Sequence, residues 1–255
     1  MLLTVDIGNT NILIGLFDAD ELVFTSRISS DRRITADQYA LMINGIAELK
    51  RIDLSAVTGA IISSVVPELT SLIRAAVETL TGVIPLVLGP GVKSGLPIRI
   101  DNPAQLGADL VAAAVGATDK YPLPCLVIDL GTATKISVID SKGAFRGCTI
   151  SAGVGISLNA LSSAASLLPD IDIANENCAA YGTNTVTSMQ AGVILGTAAM
   201  IDGMCNKIEK SLGETVASVV ATGGYATNII RYCDRDIAFE PELILYGLKS
   251  IFYKN

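Results

Sequence analysis

Two short segments hold the residues of this chain best placed to do chemistry. LTVDIGNTNILIGLFD runs from Leu3 to Asp18, and LVIDLGTATKISVID runs from Leu126 to Asp140. Each is an apolar, β-branched run followed by Asp, an apolar residue and Gly, then small hydroxyl or amide residues, then a second apolar run. That order reads as a strand, a tight turn and a returning strand. Gly8 and Gly131 let the backbone close on a ligand, while Asn9, Thr10, Thr132 and Thr134 offer side-chain donors. Asp6 and Asp129 can hold a cation or its waters. A turn of this make-up suits the phosphates of a nucleotide, and two copies suit a nucleotide held between two related halves. A single Asp-x-Gly-x-Thr occurs in many hairpins; the second copy at the matching place lifts the pattern above that background. No Gly-x4-Gly-Lys-Ser/Thr occurs, which excludes a P-loop, and no Gly-x-Gly-x-x-Gly follows the first strand.

Composition frames these turns. In 255 residues, two domains of about 120 residues each are expected, here 1–117 and 118–255, with no linker or low-complexity stretch between them. Half of the residues are hydrophobic, 17% are charged and the mean hydropathy is +0.52, which supplies two buried sheets and hints at a buried subunit contact. Charges or glycines interrupt every apolar run before membrane-spanning length. The chain enters its first strand with no basic region or cleavage site, so a cytoplasmic location is expected, with no membrane partner. A net charge of −7 and a pI near 4.6 leave no basic stripe for nucleic acid. The five cysteines lack a C-x-x-C and read as buried free thiols. There is no histidine, which excludes a Ser-His-Asp triad, a Cys-His pair and His-ligated zinc. A general base must then be a carboxylate, Lys, Tyr or Cys.

The elements that must position the turns follow from periodicity. A third strand is predicted at Glu21 to Arg27, and a helix from Thr35 to about Lys50, with Thr35 and Gln38 at capping-box spacing. A strand at Gly59 to Val66, a helix from Pro67 to Thr81 and a strand at Ile84 to Leu88 come next. After the loop Gly89 to Pro97, Asn102-Pro103 starts a helix carrying Leu106, Leu110, Val111 and Val115. That places Asp109 about two turns in, beside an apolar stripe. In the second half, strands are predicted at Leu123 to Asp129, Lys135 to Asp140 and Ala144 to Ile150, the last leading into a turn at Ser151 to Gly155. A long helix covers about Thr187 to Leu212, a strand at Ser218 to Thr222 ends in Gly223-Gly224, and a last helix begins at Pro241.

Three strands followed by alternating helices and strands, twice over, resemble the actin-like ATPase and sugar kinase folds. In chain order, DIGNTN (Asp6 to Asn11), NPAQLGAD (Asn102 to Asp109), DLGTAT (Asp129 to Thr134), TVTSMQAG (Thr185 to Gly192), ATGGYA (Ala221 to Ala226) and EPELILYGL (Glu240 to Leu248) resemble the type III pantothenate kinases, also called the Bvg accessory factor family. The resemblance covers essentially the whole chain. It implies an α/β fold of duplicated actin-like ATPase (ribonuclease H-like) domains, each a mixed sheet with flanking helices. It also implies ATP-dependent phosphorylation of pantothenate, the first step of coenzyme A synthesis. The enzyme would be a homodimer using magnesium and a monovalent cation, potassium or ammonium. By position, Asp6, Ile7, Gly8, Asn9, Thr10, Asn11, Ile12 and Leu13 would contact ATP phosphates, with Asp6 reaching magnesium directly or through water. Asp109 would accept the proton, Asp129 would bind the monovalent cation, and Thr132 would contact ATP. Gly107, Ala108, Asp109 and Leu110, with Ile100 and Thr185, would lie at pantothenate, and Gly223-Gly224 would form the adenosine turn.

The chain departs from the family at several positions. The family usually has Arg immediately after the catalytic Asp, to meet the substrate carboxylate, where this chain has Leu110; it usually has Tyr where this chain has Ile100. The second phosphate motif normally ends in Thr and here ends in Lys135, and the usual Gly-Gly and Pro-Gly appear as Gly147-Cys148 and Ala152-Gly153. A charge-assisted bond is worth about 1.5–3 kcal/mol, so losing the Arg matters for an acidic substrate. Three readings follow: a pantothenate kinase that anchors the carboxylate differently, a kinase for a less acidic hydroxyl substrate, or a nucleotide-binding or regulatory paralogue without catalysis. Aligning the repeats at their Asp residues sets Lys135 against Ile12. Alternation favours an outward-facing Lys135, an even step from Ser137 and an odd step from Ile136 and Val138. Turned inward, its ammonium would stand where family members hold potassium or would reach a phosphate. On the long helix, Gly192, Gly196 and Gly203 give a flat face for a second helix, either within the chain or across a dimer.

Overall fold

The computed structural model describes residues 1–173 and 178–255, and they form two compact units. In the first, β1 (Leu2–Ile7), β2 (Asn11–Asp18) and β3 (Glu21–Ser29) run antiparallel in sequence order. α1 (Ala36–Leu49) leads to β4 (Gly59–Ser64), which joins β1 in parallel; α2 (Pro67–Thr81) then leads to β5 (Leu86–Val87) beside β4. The sheet order is β3-β2-β1-β4-β5. β5 is shorter than its apolar run predicts because Pro85 cannot donate to a ladder, which confines it to a sheet margin. α3 (Ala108–Lys120) completes this part of the chain.

The second unit repeats the plan. β6 (Cys125–Leu130), β7 (Ala133–Ile139) and β8 (Phe145–Ala152) are antiparallel, and α4 (Val154–Ala164) and α5 (Thr185–Leu212) follow. β9 (Ser218–Thr222) pairs in parallel with β6, α6 (Ala226–Ile229) is a single turn, and β10 (Ala238–Phe239) pairs in parallel with β9. The order β10-β9-β6-β7-β8 is that of the first sheet read from its other side. The duplicated mixed sheets expected from the sequence are therefore present.

Each central strand is buried along its length except at one residue. On β1, Leu3, Val5 and Ile7 point at every second position into a core shared with Ile12 and Ile14 and with Tyr39, Ile43, Leu69 and Ile73 of α1 and α2. On β6, Leu126, Ile128 and Leu130 do the same against Leu158, Ile194 and Ile201 of α4 and α5. The predicted capping box is formed: Gln38 N–H donates to Thr35 Oγ1 at 3.3 Å, and Thr35 N–H donates to Gln38 Oε1 at 2.8 Å. α5 starts at Thr185, two residues earlier than expected, because Asn184 caps it in a box with Thr187.

Three sequence expectations change. The helix predicted from Asn102 is a 3₁₀ turn at Pro103–Gln105, an extended Leu106, and then α3, so Asp109 lies in the first turn of α3 instead of two turns in. The Leu106–Leu110 spacing imitates one continuous helix across that break. Ser151 to Gly155 is not a free turn, since β8 runs to Ala152 and Gly153 caps α4. The continuous halves 1–117 and 118–255 also differ from the observed units, which are Met1–Leu96 with Asp101–Asp119 and Leu243–Asn255, and Pro97–Ile100 with Lys120–Glu242.

The C-terminal helix α7 (Leu243–Phe252) belongs to the first unit because its backbone meets that of α3 through paired glycines. A Cβ on Gly247 would collide with the Ala112 carbonyl, and one on Gly116 with the Leu243 carbonyl. Backbone cannot move aside as a flexible side chain can, and overpacking of this kind costs about 1–3 kcal/mol or more. Gly247→Ala is therefore expected to lower the unfolding free energy by that amount and to shift the urea midpoint downward, measured against Gly45→Ala, which has open space around it. Equal midpoints for the two variants would contradict this packing.

Candidate active site

The first turn is held in shape from behind. Gly8 N–H donates to the Asn11 carbonyl at 2.9 Å, Ser30 Oγ donates to the Gly8 carbonyl at 2.6 Å, and Ser30 N–H donates to the Thr10 carbonyl at 3.0 Å. With those carbonyls engaged, Asn9, Thr10 and Asn11 are left exposed at the strand end. Ile7 and Ile12 are fully buried, so only their backbones face a ligand; Leu13 is half-buried and stands opposite Asp6 in the ladder. Asp6 is the one residue of β1 between Leu2 and Ile7 that is not fully buried.

Ser63 of β4 is Asp6's partner in the parallel ladder, so the two side chains share a face. Its hydroxyl is fully buried and makes no hydrogen bond in the described structure. Sequence reasoning missed this residue; the signal was a hydroxyl at the end of an otherwise apolar run. Asp109 comes to the same end of the same sheet. Val65 N–H donates to the Ile7 carbonyl at 3.0 Å, and a Cβ on Gly107 would lie 3.7 Å from Val65 Cγ1. Gly107 accepts the first α3 hydrogen bond, from Val111 N–H, and Asp109 Oδ1 accepts from Leu110 N–H at 2.8 Å. Leu110 is buried.

The second turn is one residue tighter. Asp6 pairs with Leu13, but Asp129 pairs with Lys135, so the structural counterpart of Lys135 is Leu13 and not Ile12. Lys135 does not face outward into water: its Nζ lies 2.7 Å from Asp129 Oδ2, with both side chains 17% exposed. Strand alternation misled here because β7 is covered on both faces; Ser137, on the Lys135 face, is 2% exposed. Around the turn, Gly131 N–H donates to the Ala133 carbonyl and Gly153 N–H to the Thr132 carbonyl, each at 3.2 Å. Gly223, at φ +99°, would carry a Cβ 2.6 Å from the Leu130 backbone, and Tyr225 N–H donates to the Leu130 carbonyl at 3.1 Å. The Gly223-Gly224 turn therefore lies directly against the second Asp-x-Gly turn, bringing Asp129, Thr132, Lys135 and both glycines to one end of one sheet. Ile100 belongs to this unit, since Arg99 N–H donates to the Phe145 carbonyl at 2.8 Å and Ile98 bridges Phe145. Thr185 is exposed at the start of α5.

Two ions implied by the resemblance meet different surroundings. Magnesium binds through one or two carboxylates plus substrate phosphates and keeps several waters. Asp6, a carboxylate at a strand end beside a phosphate-type turn, fits that need. No cluster of three or more metal-ligating side chains exists among the described residues. A dissociable monovalent ion does not fit Asp129 in the same way, because the Lys135 ammonium already holds Oδ2 and Oδ1 lies over the turn, 3.3 Å from where a Gly131 Cβ would be.

Duplicated sheets that each end in an Asp-x-Gly turn define an actin-like ATPase or sugar kinase fold. Solved structures agree: a putative Baf family transcriptional activator from Campylobacter jejuni superposes with a TM-score of 0.62 at 18% identity, covering 99% of this chain and 98% of that one. A ROK hexokinase from Thermus thermophilus gives 0.52 at 14%, covering 99% and 98%. The family model for type III pantothenate kinase matches residues 2–207, and the chain belongs to that family. Curated type III pantothenate kinases from Moorella thermoacetica and Shouchella clausii are 39% and 40% identical, each covering 100% of both chains. One from Exiguobacterium sp. is 38% identical over 100% of this chain and 99% of its own. No helix among the described residues is long and apolar enough to cross a membrane.

Of the candidate general bases, the thiols of Cys125, Cys205 and Cys233 are poorly suited. Burial pushes the thiols of Cys125 and Cys205 up to about 11 and that of Cys233 up to about 12. The thiolate is the reactive form. Alkylation of the native protein at pH 8, read by peptide mass spectrometry, is expected to spare Cys125 and Cys205; rapid labelling of either would contradict their burial.

Proposed function

We propose that this protein transfers the γ-phosphoryl group of ATP to the hydroxyl of pantothenate, giving 4'-phosphopantothenate and ADP in the first step of coenzyme A synthesis. The observation that carries the reading is full-length identity to type III pantothenate kinases together with retention of both Asp-x-Gly turns and Asp109. Phosphoryl transfer needs positioning and charge neutralisation more than covalent chemistry. The acceptor hydroxyl attacks the γ-phosphorus, the bond to the β–γ bridging oxygen breaks, and ADP leaves with that electron pair. Asp109 takes the hydroxyl proton. Asp6 would hold magnesium, which would supply charge neutralisation on the phosphates. The exposed amides and hydroxyls of Asn9, Thr10, Asn11 and Thr132 cradle phosphate oxygens, and the Gly223-Gly224 turn lies along the adenosine. Gly107 and Ala108 leave room for pantothenate, and Ile100 and Thr185 are the other positions that the family resemblance assigns to it. Leu110 is buried and apolar, so the acceptor's carboxylate is anchored by a group other than the family's usual arginine.

ADP release is expected to depend on pantothenate, and Asp109→Asn is expected to lower kcat by about 10²–10⁴ with ATP affinity unchanged. ADP release no faster with pantothenate than without it would remove the substrate assignment, and a panel of other hydroxyl compounds would then identify the acceptor.

We also read the protein as a homodimer formed through α5. Positions 192, 196 and 203 present open space: beyond adjacent residues and the helix's own backbone, no described atom lies within 4 Å of a Cβ built on any of these three glycines. The chain itself therefore does not fill this small-residue face. Sedimentation is expected to give a species of twice the 26.5 kDa chain mass at micromolar concentration, and Gly196→Trp a monomer. A wild-type monomer would refute the dimer.

A further inference from the structure

The position equivalent to Lys135 in the first half is Leu13, so the two Asp-x-Gly turns differ in kind as well as in length. In the first, the strand-end carboxylate faces an apolar residue and a buried hydroxyl. In the second, it faces a lysine whose stem runs along a covered strand face and whose ammonium lies 2.7 Å from Asp129 Oδ2. The pairing is dictated by register: Asp129 and Lys135 are direct partners across β6 and β7, so their side chains leave the sheet side by side. The turn's Ala133 and Thr132 carbonyls already accept backbone amides. An ammonium brings three donors and needs few partners. A bare alkali ion needs its hydration shell replaced by a set of oxygens.

We propose that Lys135 is a tethered monovalent cation for the nucleotide site, its ammonium neutralising Asp129 beside the second phosphate turn in place of a dissociable ion. The protein then binds nucleotide independently of potassium or ammonium. This rests on reading the second turn as a nucleotide-phosphate turn. A lysine that merely packed on the strand would leave Asp129 to recruit an ion from solution, and nucleotide affinity would follow the salt.

The test is calorimetric titration of the full-length protein with ADP and magnesium, in potassium chloride and in tetramethylammonium chloride at equal ionic strength. Wild type is expected to bind equally in both. Lys135→Thr is expected to bind about 10- to 100-fold more weakly in tetramethylammonium, the loss expected for a charge-assisted bond, and to recover in potassium. Lys135→Arg, which restores a tethered charge, is expected to remove the potassium dependence. Wild type that itself loses affinity in tetramethylammonium overturns the proposal, as does a folded Lys135→Thr that responds to neither salt. The wild-type comparison decides the matter even if Lys135→Thr does not fold. With no acceptor present, a failure here leaves the pantothenate assignment standing, and a failed pantothenate assay leaves this result standing.

Discussion

A carboxylate at the end of an otherwise buried strand is the constraint on which this structure turns. β1 and β6 show the same burial along their six residues, closed at every position but the fifth, and the fifth is Asp in both. Such a charge is tolerated in a covered sheet only where cations or hydrogen-bond donors meet it. β4 brings Ser63 beside Asp6, and β7 brings Lys135 beside Asp129. The duplicated fold thus repeats one electrostatic problem: the second half meets it with Lys135, while in the first the Ser63 hydroxyl shares the face of Asp6 without a hydrogen bond.

Much of this was legible in the sequence because it is written in local chemistry. The repeated strand-turn-strand, the Thr35 capping box and the Pro67 helix start each depend on residues within a few positions of one another, and each was found where expected. What escaped depends on partners remote in sequence. Leu106 and Leu110 keep helical spacing across a break that Leu106 makes by turning extended and Gly107 by opening α3, so periodicity alone ran the helix through it. The last helix returns to the first unit because Gly247 fits the Ala112 carbonyl of α3, a contact no local pattern encodes. Ser63 lies within the strand predicted at Gly59 to Val66, and only the parallel ladder places it beside Asp6.

Lys135 is the sharper case. Alternation assigns a residue to one face or the other but does not say whether that face is covered. β7 is buried on both sides, so the even-numbered step from Ser137 that suggested solvent instead led to a second interior face. The one-residue difference in turn length shifted the repeat alignment as well, making Leu13 the counterpart of Lys135 where simple counting set it against Ile12. An error of one residue in a hairpin is enough to exchange a surface lysine for a site lysine.

Tethering a cation also changes what a binding site costs to keep ready. A free ion occupies its place according to its concentration, and the site's affinity for nucleotide then carries that dependence by linkage. An ammonium fixed to the adjacent strand is present in every folded molecule, and its ordering cost is met in folding and not at each binding event. The exchange has a limit, because a lysine has three donors and a fixed reach, whereas an ion adapts its shell to whatever oxygens surround it. That limit suits a turn whose carbonyls are already committed to backbone amides, as those of Thr132 and Ala133 are. The tighter second hairpin and the lysine thus belong together: shortening the turn brings position 135 opposite Asp129, and only in that register does one side chain supply the charge that the strand end requires.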